Sequence, residues 1–379
     1  MVLGPLRGPI VSLCVLSETS ASSALGPFFF LSRRRMNFCS DNVTGVAPEI
    51  MTALTAANAG AVASYGADAI TERLTRRFSE VFEREVAVFP VATGTAANAL
   101  ALATLTPPWG VVYGHRDAHF QVDECGAPEF YTGGAKLRML DGDHGKITPA
   151  DLEAAIMGRG VVHHAQPATV SLTQSTEAGT VYQAAEIEAV AEVCRRYGLA
   201  LHMDGSRFAN AVAALNRSPA DLTWRAGVGA LSFGATKNGA MAAEAVVFFD
   251  PKQAEEFAFR RKRGGHLFSK MRFLSAQLEA YFADDLWLRN AVHANRMAAR
   301  LADGLGSLPG AKLRHPVEAN EIFVELPDPV IGGLLADGFQ FYRWNSEESV
   351  LIRLVTAFDT APSTVDAFLA AARSHAERR

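Results

Sequence analysis

Residues 184–207 read AAEIEAVAEVCRRYGLALHMDGSR, and their order decides the class of fold. Ile187, Val190, Ala191 and Cys194 recur at the spacing of one helix face. Glu186 and Glu188 come early and Arg195 and Arg196 late, as the helix macrodipole favours, and Gly198 supplies the stop. Leu199–Met203 is then a short apolar run that reads as a central strand, with Asp204 at its carboxyl end. A helix leading into a buried strand is the unit of an α/β domain built on a mostly parallel sheet.

The same alternation extends in both directions. Strands are predicted at Val86–Val91, Gly110–Tyr113, Lys136–Leu140, Ala168–Thr173, Ala230–Phe233 and Ala245–Phe249, with an Ala/Leu-rich helix over Thr95–Leu105. After Asp250 the pattern changes. A basic helical run, Phe257–Arg263, leads into a long helical pattern from about Leu267 to Leu301. Lys312–Arg314, Glu321–Leu326, Gln340–Arg343 and Leu351–Thr356, with a final helix from Thr364, predict a small α/β lobe. Residues 36–280 are expected to form the large domain, N-terminal segment included, and 281–379 the small one. The glycine-rich stretch Gly304–Gly310 is expected to be a hinge between the two parts.

Composition narrows the function classes. Of 379 residues, 49% are hydrophobic and 20% charged, and the net charge of -4 leaves no basic surplus for nucleic acid or an anionic membrane. No apolar run reaches the roughly 18–20 residues of a bilayer span. Cys14, Cys39, Cys125 and Cys194 are scattered without a C-x-x-C spacing, which argues against a disulfide framework or zinc site and for a reducing, cytoplasmic setting. No metal is expected: His163 and His164 are adjacent, and no H-E-x-x-H occurs. Residues 1–35 carry one acid, Glu18, and close on Arg33-Arg34-Arg35, imitating a secretory signal or transit peptide. The reading adopted is that Met36 begins the domain and that 1–35 are a disordered extension or an over-called start.

Three motifs carry chemistry. Thr93-Gly94-Thr95 follows a strand and opens a helix, so backbone N–H groups and hydroxyls can converge on a phosphate. It lacks the dinucleotide and Walker spacings. Asp204, in His202-Met203-Asp204-Gly205-Ser206-Arg207, is a strand-end carboxylate that needs a cationic partner if buried; a protonated pyridine nitrogen is one. Lys237 lies in Ser232-Phe233-Gly234-Ala235-Thr236-Lys237-Asn238-Gly239, among small residues that leave room for a bulky aldehyde cofactor. Each also has a plain structural reading: a Thr helix cap, an N-cap Asp with a salt-bridged Arg, a surface lysine in a glycine turn.

In this order the blocks resemble the threonine aldolase/β-eliminating lyase family of fold-type-I pyridoxal-phosphate enzymes, over roughly residues 37–375. The resemblance also rests on Ser40-Asp41-Asn42-Val43-Thr44, on Tyr65-Gly66-x-Asp68-x-x-Thr71, on His119 with Glu124, and on Ile352-Arg353-Leu354-Val355-Thr356. It implies an aspartate-aminotransferase-like large domain and pyridoxal 5'-phosphate as cofactor. Lys237 would form the Schiff base, Asp204 would pair with the ring nitrogen, and His119 would stack on the ring with Glu124 nearby. Gly94 and Thr95 would hold the phosphate. Arg207 and Arg353, with Ser40, would bind the substrate carboxylate. Tyr65 and Arg272 would reach a neighbouring subunit's site in a homodimer or homotetramer.

One departure is visible. Many members place a histidine where Gln174-Ser175-Thr176-Glu177-Ala178-Gly179-Thr180 puts Glu177; a carboxylate can also act as a base. Such a chain is similar to the low-specificity threonine or phenylserine aldolases. The implied activity is retro-aldol cleavage of L-threonine, L-allo-threonine or L-phenylserine to glycine and an aldehyde, with His119 or Glu177 as base. β-Elimination, racemisation or transamination with the same cofactor, or a non-catalytic module sensing an amino acid, remain open readings.

Overall fold

Seven short strands form the central sheet of the computed structural model, which describes residues 36–377. The expectation for residues 1–35 lies outside the described residues. The strands are β1 (Ala87–Val91), β2 (Gly110–His115), β3 (Lys136–Leu140), β4 (Gln166–Thr173), β5 (Ala200–Gly205), β6 (Ala230–Gly234) and β7 (Glu244–Phe248). Their order is β1-β7-β6-β5-β4-β2-β3, parallel from β6 to β3, with β7 antiparallel to both of its neighbours. β6 and β7 are buried along their whole length, which is why their sequences are near-continuous apolar runs rather than alternating ones.

The Ala184–Tyr197 helix occupies the predicted span. It buries Ile187, Val190, Ala191, Val193 and Cys194, and ends on Gly198 at φ +66°, a left-handed cap that glycine adopts without strain. The helix Gly94–Leu105 is buried over eight consecutive residues, Ala96–Ala103, as its all-round apolar sequence requires.

The second sheet contains β8 (Lys312–Leu313), β9 (Glu321–Glu325), β10 (Tyr342–Arg343) and β11 (Leu351–Val355), antiparallel in the order β10-β11-β9-β8. Its core includes Ile322, Val324, Ile352, Leu354 and Phe368, and Phe38 from the start of the described chain joins it. Phe38 N donates to Gln340 O (2.8 Å) and Val355 N to Phe38 O (2.9 Å), so the segment just before Ser40 is sewn to this lobe.

Two expectations are corrected. The long helical pattern over Leu267–Leu301 is two helices, Arg272–Phe282 and Leu286–Gly306. They are separated at Asp284 and Asp285, which take φ +49° and +53°, a conformation Asp tolerates better than most residues. The corner packs Phe282 and Trp287 against Phe233. The Gly304–Gly310 stretch is not a hinge between two bodies: the second helix runs through Gly304 to Gly306, and Leu305 and Leu308 belong to the second core. A Cβ on Gly304 would lie 2.4 Å from Leu369, so glycine here permits close helix packing.

Register brings the chemistry together. Thr173 pairs with Asp204, Asp204 with Ser232, and Gly205 with Phe233. The loops leaving β4, β5 and β6 therefore open side by side at the carboxyl edge of the sheet, where open α/β sheets bind ligands.

Candidate active site

A cleft of about 1260 Å³ lies between this edge and the second sheet; Ser40, His119, Glu177, Arg207, Lys237 and Arg353 all line it. Lys237 sits on a short 3-10 turn after β6, and its flanks are pinned. Asn238 Nδ2 donates to Tyr281 Oη (2.6 Å) and Trp287 O (2.8 Å), while Ala235 N donates to Glu244 Oε2 (2.9 Å).

Asp204 is 2% exposed. It accepts from Asn98 Nδ2 (2.7 Å) and Ser206 N (3.0 Å), both neutral donors. Burial opposes its charge, yet His119, the Ser206 N–H, Lys237 and Asn98 outweigh burial and hold the carboxyl below its ordinary value. Asn98 also donates to Glu124 Oε1 (2.8 Å), which His119 Nδ1 meets at 2.9 Å. Burial pushes Glu124 up, against its bonds to His119 and Asn98. For His119, burial disfavours the charged ring, but the Glu124 bond and the Glu177 and Asp204 charges raise its value.

Asn98 was not singled out from the sequence. The signal was there: a lone amide in an otherwise Ala/Leu helix must find buried partners. The row Ser171 Oγ–His202 Nδ1 (2.9 Å) and His202 Nε2–Ser232 Oγ (3.0 Å) also went unread; it crosses β4, β5 and β6 beneath the site. Burial lowers His202 to about 4, so this ring is neutral at pH 7.

Glu177 lies on the loop after β4. Gln174 braces that loop through paired bonds with Tyr182 (2.8 and 2.9 Å), and Thr176 and Thr180 join their hydroxyls at 2.8 Å. Burial raises the Glu177 carboxyl, Lys237 pulls it down and Glu321 pushes it up again; the net shift is upward.

The two arginines differ. Arg207 grips Asp41 through Nε (2.7 Å) and Nη2 (3.0 Å), and its Nη1 lies 2.9 Å from Glu321. Arg353 donates Nη2 to Cys39 O (3.1 Å), stacks over Trp344 at 5.0 Å, and has no hydrogen-bond partner for its buried Nε among the described residues. Sequence reading treated the pair alike; Asp41 and Glu321 separate them. The Ser40 hydroxyl accepts from Asn42 N (3.1 Å) at the cleft wall.

Gly94 and Thr95 open the Gly94–Leu105 helix one turn before Asn98, with Thr93 as its cap. A Cβ on Gly94 would meet nothing within 4 Å among the described residues, so there is room beside this helix start. Tyr65 and Arg272 do not line the cleft. Tyr65 is 49% exposed, with Lys262 Nζ 4.9 Å from its ring centre, and Arg272 Nη1 donates to Gly60 O (3.0 Å).

These residues fit pyridoxal phosphate: a buried, ionised Asp204 whose hydrogen bonds come only from neutral donors, a helix N-terminus with open space at Gly94 on the same helix as its partner Asn98, and a pinned lysine at the adjacent strand end. Fold and site together define a fold-type-I pyridoxal-phosphate enzyme. Sequence comparison narrows this: the profile of the beta-eliminating lyase family matches residues 37–328, and the chain belongs to that family. It is 45% identical over 323 residues to the low specificity L-threonine aldolase of Pseudomonas aeruginosa, covering 85% of this chain and 93% of that protein. A second low specificity L-threonine aldolase, from Pseudomonas sp., is 41% identical over 88% of this chain and 96% of its own. Among solved structures, the threonine aldolase of Leishmania major superposes with a TM-score of 0.84 at 28% identity, over 90% of this chain and 99% of that one. No helix among the described residues is long and apolar enough to cross a membrane.

Proposed function

We propose that this cleft cleaves L-β-hydroxy-α-amino acids to glycine and an aldehyde. The observation that supports this most is that a lysine, an acid with a raised pKa and a partly unsatisfied arginine line one cavity, in a chain so close to the low specificity L-threonine aldolases. Bound pyridoxal phosphate supplies an electron-poor ring that accepts the electron pair released when Cα–Cβ breaks.

The chain's own residues do the rest. Lys237 would hold the cofactor, Asp204 would pair with its ring nitrogen, Gly94 and Thr95 would take its phosphate, and His119, oriented by Glu124, would lie against the ring. Arg353 clamps the substrate carboxylate, and Arg207 lines the cleft with Ser40. Glu177 accepts the proton of the β-hydroxyl at a carboxylate oxygen; a raised value brings it nearer the operating pH, which suits a general base. Phe323, Tyr342 and Trp344 line the same cleft, which supports side chains as large as that of phenylserine. Exposed Tyr65, away from the cleft, supports a homodimer or homotetramer in which Tyr65 and Arg272 serve a neighbour's site. Cys125 and Cys194 form no disulfide among the described residues, which accords with a cytoplasmic setting.

The test is a panel of threonine, allo-threonine, phenylserine and serine with wild type and Lys237→Ala, with glycine and aldehyde measured. Wild type should release both from threonine or phenylserine, and the variant should lose at least about 1,000-fold in rate, roughly 4 kcal/mol of barrier. If neither substrate is cleaved while another amino-acid reaction proceeds, the aldolase reading fails.

A further inference from the structure

Glu321 opens β9 at 1% exposure, a buried carboxylate carried to the cleft by the second sheet. Its Oε2 lies 2.9 Å from Arg207 Nη1 and its Oε1 3.9 Å from Arg353 Nη1. Neither oxygen takes a hydrogen bond of regular geometry among the described residues, so its charge is balanced by the two guanidinium groups. The same segment grips the loop that carries Glu177. Val181 N donates to Glu318 Oε2 (2.7 Å), Ala319 N donates to Gly179 O (3.1 Å), and a Cβ on Gly179 would lie 2.6 Å from Glu321 O.

Donor capacity is shared unequally across this bridge. Arg207 has Nε and Nη2 on Asp41 and Nη1 on Glu321, so three of its five N–H donors and the charge of two carboxylates are already engaged there. Arg353 keeps Nε free and meets Glu321 only at the longer distance. We propose that Glu321 is a positioning residue that locks Arg207 onto Asp41 and tempers the charge of Arg353, and so sets how tightly the carboxylate of substrate and product is held.

The inference rests on Arg353 as the carboxylate clamp. A carboxylate bound to Arg353 would share that guanidinium with Glu321, a like-charged neighbour whose Oε1 lies 3.9 Å from Nη1; with partial solvent screening, such a repulsion weakens binding about tenfold. Moderation of this kind has a use. Holding substrate and transition state equally tightly does not speed the chemical step, and a tightly held carboxylate slows the departure of glycine.

The experiment uses the cofactor-loaded enzyme and glycine as probe, with binding read from the change in cofactor absorbance. Glycine has the carboxylate but no Cβ, so its affinity is independent of aldol cleavage. Glu321→Gln, equal in size and uncharged, should lower the glycine dissociation constant about tenfold. Glu321→Asp keeps the charge but withdraws it by one methylene, and should fall between the two. KM for a cleaved amino acid should fall in parallel without a rise in kcat. A purely structural residue would give weaker or unaltered binding, and either result in both variants overturns the proposal. The comparison of Asp with wild type stands alone should the Gln variant fail to fold. Tighter glycine binding without any cleavage by wild type sinks the aldolase reading and leaves the role of Glu321 intact. Cleavage with unaltered glycine affinity sinks only Glu321.

Discussion

Glu244 opens β7 behind the lysine loop and is buried; replacing it by Gln should stabilise the protein at neutral pH and leave it unaltered in acid. Its Oε2 accepts from Ala235 N (2.9 Å), and burial pushes the carboxyl up to about 7 from an ordinary 4.5, although bonds from Thr236 and Ala235 and the charge of Lys237 oppose the rise. A carboxyl raised in the folded state binds its proton more tightly there than in the unfolded chain. Its contribution is therefore intact below about 4.5 and is lost as pH climbs through about 7. At about 1.4 kcal/mol per pH unit, that gap costs about 3 kcal/mol once the group is ionised, as an upper figure. Glu244→Gln retains an oxygen for Ala235 N and never ionises. Urea unfolding of the cofactor-free protein from pH 4.5 to 8 should show curves that start together and diverge, with the Gln variant more stable by about 1–3 kcal/mol at pH 8. Curves that run parallel over that window, or a less stable variant at pH 8, would refute the reasoning. A carboxyl raised by burial beside Lys237 fits the clustering of perturbed groups at functional sites.

Three further outcomes are expected. Asn98→Leu removes both amide bonds, each worth about 1.5–3 kcal/mol to a charged acceptor, and lets the Asp204 carboxyl rise; cofactor affinity, measured by absorbance titration, should drop about 10- to 100-fold. Gly304→Ala places a Cβ 2.4 Å from Leu369 and should cost about 1–3 kcal/mol in chemical denaturation while activity per folded molecule is kept, the opposite of what a hinge would give. Trp344→Ala strips the ring from beside Arg353 and the cleft wall, and should raise KM for phenylserine several-fold more than for threonine in steady-state assays.

The sheet was legible because each central strand is a short apolar run between breakers, and the Ala184–Tyr197 helix because its periodicity, charges and terminal glycine agree. The corner at Asp284–Asp285 was not, since apolar residues continue in helical spacing on both sides and nothing local but two tolerant aspartates marks the break. Gly304 misled because a glycine needed for a neighbour's approach looks, in sequence, like one needed for flexibility. Lys237, Asp204 and Glu177 could be placed at strand ends, whereas the Asp41–Arg207–Glu321 bridge joins residues 166 and 114 positions apart. Only packing of the second sheet against the first creates it.

Acids at this site outnumber what its cations can hold ionised, and the structure sorts them. Asp204 and Asp41 are driven down, one by an array of N–H donors and nearby cations, the other by Arg207. Glu124 and Glu177 are driven up by burial. One amide, Asn98, bridges a member of each class, bonding Asp204 and Glu124 with its two N–H groups. Environments that push neighbouring carboxyls apart assign them different work: the lowered ones remain charged to hold a cation, and the raised ones hold a proton more readily. Under the proposed function Asp204 would pair with a protonated ring nitrogen, while Glu177, which lines the same cleft as Arg353, would take the proton of the β-hydroxyl. That division makes the affinity for the cofactor and the pH dependence of cleavage separable by single substitutions at positions 98 and 177.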